Sequence, residues 1–362
     1  MLKFSKNFDW ILLLFSLCLL ALGILILASV SSAFSTEKVG NPYYFLKNQI
    51  IKGVIPGLIL ALFAFSIDLK ILKKFSLIIL ILNLTLMGLV FLPNLGVKRF
   101  GAVRWIDLKF FTLQPSEFLK LSSILYFSAW LSSKEKRGKK ENLIAFLIVS
   151  ALIGSFLVLQ PDISTLAIII LVSILIYFVA GNPIWHSLLM ILGGVLIGIF
   201  LIKFEPYRMN RILAFLNPEN YSTGIGYQIK QALIAVGSGG IFGRGLGMSK
   251  QKFGFLPQSI SDSIFAIFAE ETGFVGCATL IFLFLLFFWR GFKISKGAKD
   301  EFSKLLAFGI TSWIAIQTLI NISSMIKLLP LMGVPLPFVS YGGSALISEL
   351  IGLGFLLNIS KS

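Results

Sequence analysis

The chain has 362 residues, of which 57% are hydrophobic and 13% charged, and 35 of them are Phe. Lys and Arg outnumber Asp and Glu by 32 to 16, a formal net charge of +16. So apolar a composition excludes a soluble enzyme, a disordered scaffold and a nucleic-acid-binding domain, and fits a chain that crosses a bilayer many times.

In chain order, ten apolar segments are long enough to cross roughly 30 Å of hydrocarbon. They fall near 10–32, 51–67, 75–92, 114–132, 142–159, 163–180, 184–202, 262–289, 304–327 and 344–359. The first follows Lys3 and Lys6 and reads as an uncleaved span, because it is roughly twenty residues long and more spans follow. Gln160-Pro161-Asp162 and Gly181-Asn182-Pro183 are the only separators of spans five to seven, so both mark tight helical hairpins. The expected fold is an all-α polytopic membrane protein, one domain over 1–362, with its longer connections at 93–113 and 203–261.

Short basic loops set the orientation. Lys70, Lys73 and Lys74 follow span two. Lys134, Lys136, Arg137, Lys139 and Lys140 follow span four, and Arg290, Lys293, Lys296 and Lys299 follow span eight. These loops belong on the cytoplasmic side, which puts both termini inside and the two longer connections outside. Sixteen Lys and Arg then lie inside and fifteen outside, with Lys120 within a span. Either the long outer loops escape the rule or they carry positive charge for a task.

Several groups are candidates for chemistry. Cys18 and Cys277 lie in apolar runs without CxxC partners and are expected as buried thiols, with no disulfide and no zinc. The single His186 is too little for a His-based metal site. Pro115, Pro161, Pro257 and the Pro335-Leu336-Pro337 segment are expected to start four spans at the outer face, since proline fits the first helical turn. Ser116, Glu117, Asp162 and Asp262 lie near those starts, an arrangement suited to an anion. Glu117 and Lys120, three residues apart, share a helix face inside the hydrocarbon. They are either a buried structural pair or the lining of a polar cavity. The glycine cluster at 237, 239, 240, 243, 245 and 247 permits tightly turned backbone against a ligand. Asp262 is the sole carboxylate between Glu219 and Glu270, where the outer loop enters span eight. Partial burial would raise its pKa toward that of a general base.

These residues together resemble the SEDS family of polytopic membrane proteins, which includes FtsW and RodA. The likeness covers nearly the whole chain. It rests on Arg104-Trp105, Gln114-Pro115-Ser116-Glu117 with Lys120, Gln160-Pro161-Asp162, and Tyr207-Arg208 with Arg211. It continues through Gly226-Tyr227-Gln228, Gly243-Arg244-Gly245-Leu246-Gly247, Asp262 with Glu270-Glu271, and Leu336-Pro337-Phe338-Val339-Ser340-Tyr341-Gly342-Gly343-Ser344.

The resemblance implies a peptidoglycan glycosyltransferase acting on lipid II, with Asp262 as the catalytic carboxylate. It implies substrate-binding roles for Arg104, Trp105, Glu117, Lys120, Arg208, Arg211, Gln228, Ser340 and Tyr341. Implied partners are a class B penicillin-binding protein and other divisome or elongasome membrane proteins. No cofactor is required by it, although a divalent cation (Mg or Mn) could accompany the pyrophosphate. Ser249-x-Gln251-Lys252 and Tyr207-Arg208-x-x-Arg211 resemble FtsW more than RodA, which implies a role in cell division, the alternatives being a RodA-like elongation polymerase or a transporter that flips lipid II. One departure matters. Many relatives carry Pro-Glu-x-His-Thr-Asp where this chain has Pro257-Gln258-Ser259-Ile260-Ser261-Asp262, so Asp262 is the sole acid of that motif. Ser164 likewise stands where glycine is common.

Overall fold

The computed structural model describes residues 8–93, 95–99, 102–109, 111–133, 139–221 and 224–361. Lys3, Lys6, Lys134, Lys136 and Arg137 lie outside the described residues. Helices dominate: α1 (Trp10–Val39), α2 (Tyr44–Gln49), α3 (Ile55–Ser66), α4 (Leu69–Leu89), α5 (Pro115–Leu131), α6 (Lys139–Leu159), α7 (Ile163–Val179) and α8 (Ile184–Lys203). Then come α9 (Pro206–Leu216), α10 (Ile225–Ser238), α11 (Ile264–Gly297), α12 (Glu301–Met325) and α13 (Gly343–Ile359). A π-helical stretch at Ile50–Val54 joins α2 to α3, so the two form one span over Tyr44–Ser66. Pro56, in the first turn of α3, has no N–H to donate, which favours such a local irregularity.

The chain is a multi-pass membrane protein. Among the described residues, eight helices are long and apolar enough to cross a bilayer. The two remaining spans, α5 and α7, have 17 residues each, the lower limit for crossing. Apolar residues surround most of these helices on all sides, as expected when lipid replaces water outside the bundle. Cys18 and Cys277 are free, and both are half-buried where burial was expected.

Helices α5, α12 and α13 are the most enclosed, and α5 packs against the other two. Small residues let α13 lie close on α3: a Cβ at Gly354 would stand 2.4 Å from Ala61 O. Two features depart from an all-helical reading. The outer connection after α4 carries a small antiparallel sheet of β1 (Gly96–Arg99), β2 (Ala102–Asp107) and β3 (Thr112–Leu113), in the order β1-β2-β3. In addition, α11 is broken at Gly273, whose φ of 66° and ψ of −162° are not helical. The eighth span is therefore the part after the break, and Asp262, Glu270 and Glu271 all precede it.

Two proline expectations are corrected. Pro115 begins α5, and Asp162, next to Pro161, caps α7 through Thr165 N. Pro257 and Pro337, by contrast, lie several residues ahead of α11 and α13 and belong to loops. Those loops fold together as the floor of the site.

Candidate active site

Asp262 sits on a backbone shelf held from three directions. Gln258 turns the chain with a φ of 55°, and its carbonyl accepts from Ser261 N and Ser263 N, each at 3.1 Å. From α12, Asn321 Nδ2 donates to Asp262 O at 2.8 Å and to Val334 O at 2.7 Å. From the loop before α13, Ser340 Oγ donates to Ser261 O at 2.6 Å and Tyr341 N to Ile260 O at 2.9 Å. From α10, Gln228 Nε2 donates to Ser263 Oγ at 3.0 Å. Gln228, Ser340 and Tyr341, marked as substrate-binding in the sequence, thus reach the shelf that carries Asp262.

Among the described residues, no donor hydrogen-bonds the Asp262 carboxylate. The residue is partly exposed and not sealed off. Gly333 faces it, and a Cβ there would stand 3.4 Å from Asp262 Oδ2. Burial pushes the carboxyl up from 3.8 to about 6. Arg211 opposes that rise, Glu117 adds to it and Arg104 opposes it. Four candidates from distant parts of the chain, Arg104, Glu117, Arg211 and Asp262, therefore share one electrostatic neighbourhood.

A pH dependence follows. A base acts only when ionised, so the rate should fall as pH drops through about 6, the pKa of Asp262. A rate flat from pH 7 down to about 5 would contradict the base role. The stability effect has the opposite sense. Between about pH 4 and about pH 6 the folded chain keeps a proton that the unfolded chain has lost. The contribution of this group to stability therefore falls as pH rises across that window.

The cationic candidates divide. Arg104 on β2 is fastened to the α6–α7 turn: Nε donates to Gln160 O at 3.1 Å and Nη2 to Pro161 O. Trp105, partly buried, pairs with Val97 across the sheet. Arg211 on α9 donates to Leu331 O at 3.2 Å and to Tyr207 Oη at 2.7 Å, and its guanidinium lies 4.8 Å from the Tyr207 ring centre. Its Nε is buried without a hydrogen-bond partner. Arg208 is different. Its Nη1 donates to Leu201 O at 2.8 Å, capping the end of α8, and it is not among the charges that act on Asp262. Arg211→Ala should lower the rate of the reaction at Asp262 at least about tenfold, the loss expected for one charge-assisted contact of about 1.5–3 kcal/mol. Arg208→Ala should stay within about threefold of wild type. Steady-state rates of the two purified variants check this pair.

The Glu117–Lys120 pair is more closed than a substrate-binding role suggests. Lys120 is 2% exposed and Glu117 4%. Lys120 Nζ lies 2.7 Å from Glu117 Oε2 and 2.8 Å from Gln317 Oε1, and 5.2 Å from the Trp313 ring centre. Gln317 also accepts from Trp313 Nε1 at 2.8 Å and donates to Pro335 O at 3.0 Å and Glu349 Oε1 at 3.4 Å. Glu349 Oε2 accepts from Phe338 N at 2.8 Å. Two buried carboxylates thus flank one ammonium. Glu349 was missed in the sequence, although a lone acid in the apolar run of α13 is itself a signal. Lys120 reaches the site through the field of Glu117 on Asp262 and through the loop that Gln317 and Glu349 hold.

Glu270 and Glu271 are engaged away from Asp262. Glu270 accepts from Ser249 Oγ, from Lys250 N and Gln251 N at 3.2 Å each, and pairs with Arg244 at 3.3 Å. Glu271 pairs with Lys252 at 3.0 Å and accepts from Ser29 Oγ at 2.6 Å. Both carboxylates clamp the glycine-rich loop. Part of the outer positive charge is spent there and on Arg208 as a helix cap, while Arg104 and Arg211 act on the Asp262 carboxyl. Two of the glycines press on protein: a Cβ at Gly239 would meet Ala269 O at 2.0 Å, and one at Gly243 would meet Glu271 O at 2.2 Å. Ser164 Oγ donates to Met332 O and ties α7 to the loop opposite Asp262. Among the described residues, no cluster of three or more His, Cys, Asp or Glu is placed to hold a metal ion. His186 is engaged instead with Tyr177 Oη at 2.8 Å.

Comparison with known proteins gives matches of nearly full length. The FtsW/RodA/SpoVE family model, described as "Cell cycle protein", matches residues 9–362. Stage V sporulation protein E of Bacillus subtilis is 39% identical over 360 residues, covering 98% of this chain and 97% of that protein. A probable peptidoglycan glycosyltransferase FtsW of Coxiella burnetii is 38% identical over 365 residues, covering 98% and 97%. Among solved structures, a chain from a study of a peptidoglycan synthase complex that coordinates polymerization and crosslinking matches with a TM-score of 0.81 at 24% identity, over 98% of each chain. The crystal structure of Thermus thermophilus rod shape determining protein RodA matches with a TM-score of 0.72 at 25% identity, over 98% of this chain and 97% of that one.

Proposed function

Because the chain belongs to the FtsW/RodA/SpoVE family of cell cycle proteins, we propose that it is a peptidoglycan glycosyltransferase that polymerises lipid II at the outer face of the cytoplasmic membrane, with Asp262 as the base. The observation that carries this reading is the Asp262 carboxylate itself: unbonded, reachable, partly desolvated and flanked by guanidinium groups.

The chemistry needs both signs of charge. The acceptor sugar hydroxyl gives its proton to Asp262 as its oxygen bonds to the donor's anomeric carbon. The bond from that carbon to the lipid pyrophosphate breaks, and the pyrophosphate leaves with the electron pair. Attack opposite the leaving group turns an α-linked donor into a β-linked product. Arg211 and Arg104 stabilise the departing charge as preorganised groups. One carboxylate suffices, because pyrophosphate needs little protonation to leave, unlike the leaving group in glycosidases that use two. Any divalent cation that accompanied the pyrophosphate would add positive charge to its departure, and Asp262 is the nearest candidate protein ligand, since among the described residues no cluster of three or more His, Cys, Asp or Glu could hold a metal.

Relatives named FtsW at 37% and 38% identity support a division-type enzyme. The structural neighbour reported in a complex that couples polymerization to crosslinking supports a class B penicillin-binding protein as partner. The test is to mix detergent-solubilised protein with lipid II and resolve products by size. Glycan strands are expected. In detergent a transporter has no membrane to carry lipid II across, so unreacted lipid II would overturn the reading.

A further inference from the structure

The glycine-rich loop after α10 is an extracytoplasmic connection, yet backbone bonds sink it to the level of the break in α11. Arg244 N donates to Glu270 O and Gly245 N to Glu271 O, each at 3.0 Å. In return Phe274 N donates to Gly240 O at 2.9 Å and Val275 N to Ile241 O at 3.1 Å. The bonds that a continuous helix would make to itself at Gly273 are made to the loop. A Cβ at Gly273 would stand 2.3 Å from Gly243 N, so nothing intervenes.

The depth of this junction can be measured along two helices. Asp9 caps α1 and pairs with Arg290 at 2.7 Å, which fixes one membrane surface. From Arg290 to Gly273 is about 26 Å of helix at 1.5 Å per residue, and from Asp9 to Ser29, which binds Glu271, about 30 Å. Hydrocarbon is about 30 Å thick. The junction therefore lies at the opposite boundary of the hydrocarbon.

At that depth the loop turns three large apolar side chains outward. Ile241 is 63% exposed, Phe242 81% and Leu246 73%. They continue a lipid-facing stripe on α11 formed by Phe274, Phe282 and Leu285. The nearest charge, Arg244, is turned to Glu270. Water against these side chains would be costly, and the surface they extend is already the one that meets lipid.

We propose that Ile241, Phe242 and Leu246 are seated among the acyl chains of the outer leaflet, as an anchor that fixes the depth of the loop carrying Asp262. The Lys252–Glu271 pair at 3.0 Å and the Leu256 N to Gln251 O bond at 3.0 Å stiffen the chain from this anchor to the shelf. The proposal does not depend on the glycosyltransferase reading.

The test is nitroxide labelling of the full chain in phospholipid nanodiscs. Phe242→Cys and Leu246→Cys are each made with Cys18→Ala and Cys277→Ala, and Glu219→Cys, at an exposed position, is the aqueous reference. Two positions are labelled so that a label disturbing one leaves the other. Collision with oxygen, which concentrates in hydrocarbon, is compared with collision with a water-soluble nickel chelate. The oxygen-to-nickel ratio is expected to be several-fold higher at 242 and 246 than at 219. Equal ratios would mean that the loop stands in water. Exclusion of both relaxers would mean that protein covers it, for example a second copy or a partner. Either result overturns the proposal.

Discussion

Lys120→Met is expected to destabilise the protein by about 3–5 kcal/mol, the cost of stranding a buried charge. The side chain is replaced by one of similar length, so packing changes little. What changes is that Glu117 and Glu349 lose the ammonium that both face, directly in one case and through Gln317 in the other. In the membrane interior neither carboxylate has water to turn to. The melting temperature in detergent should drop steeply and polymerisation should disappear with it. The compensating variant separates charge from shape. Lys120→Met combined with Glu117→Gln should recover much of the melting temperature, because a neutral pair carries no such penalty. It should not recover the rate, because the field of Glu117 on Asp262 and the tether to Gln317 are gone. An unchanged melting temperature in the single variant would show that the pair is not structural.

The membrane spans were legible because runs of Leu, Ile and Phe as long as a bilayer is thick have few other uses. Their interruptions were less so. Gly273 sits within apolar sequence after Glu270-Glu271-Thr272, so hydropathy runs straight across the break. Only tertiary bonds from Arg244 and Gly245 show that the helix stops there. The strands of the first outer loop are short, and Val103-Arg104-Trp105-Ile106 reads as readily as a membrane-interface anchor. Convergence of Arg104, Glu117, Arg211 and Asp262 could not be read from spacing, since the chain separates them by up to 158 positions in the sequence. The family motifs supplied it. The residues they did not distinguish were Arg208, which the fold uses as a helix cap, and Glu349, which no motif contains. The glycine cluster was read as tightly turned backbone against a ligand; the turns are there, with positive φ at Gly240, Gly243, Gly245 and Gly247, while Gly239 and Gly243 admit Ala269 and Glu271 backbone.

The larger functional effect belongs to Asp262→Asn. The amide keeps the size of the side chain and removes only its capacity to take a proton. General-base catalysis is worth about 10²–10⁴-fold in rate, so polymerisation should fall to background. Stability should move the other way. The carboxyl is pushed up to about 6 by burial, so its ionised form is a burden on the fold at neutral pH, and a neutral Asn relieves it. The backbone bonds from Asn321, Ser340 and Tyr341 go to carbonyls and survive the change. An inactive protein that melts no lower than wild type is therefore expected, a combination that a folding defect cannot produce.

The most direct measurement is the rate at which pure wild-type and Asp262→Asn proteins convert lipid II into glycan strands at pH 7.5, alongside their melting temperatures. Long strands from the wild type, none from the variant, and a melting temperature equal or higher in the variant are the expected results. Strands formed by Asp262→Asn at the wild-type rate would show that the proton goes elsewhere and that Asp262 is not where the sugars join.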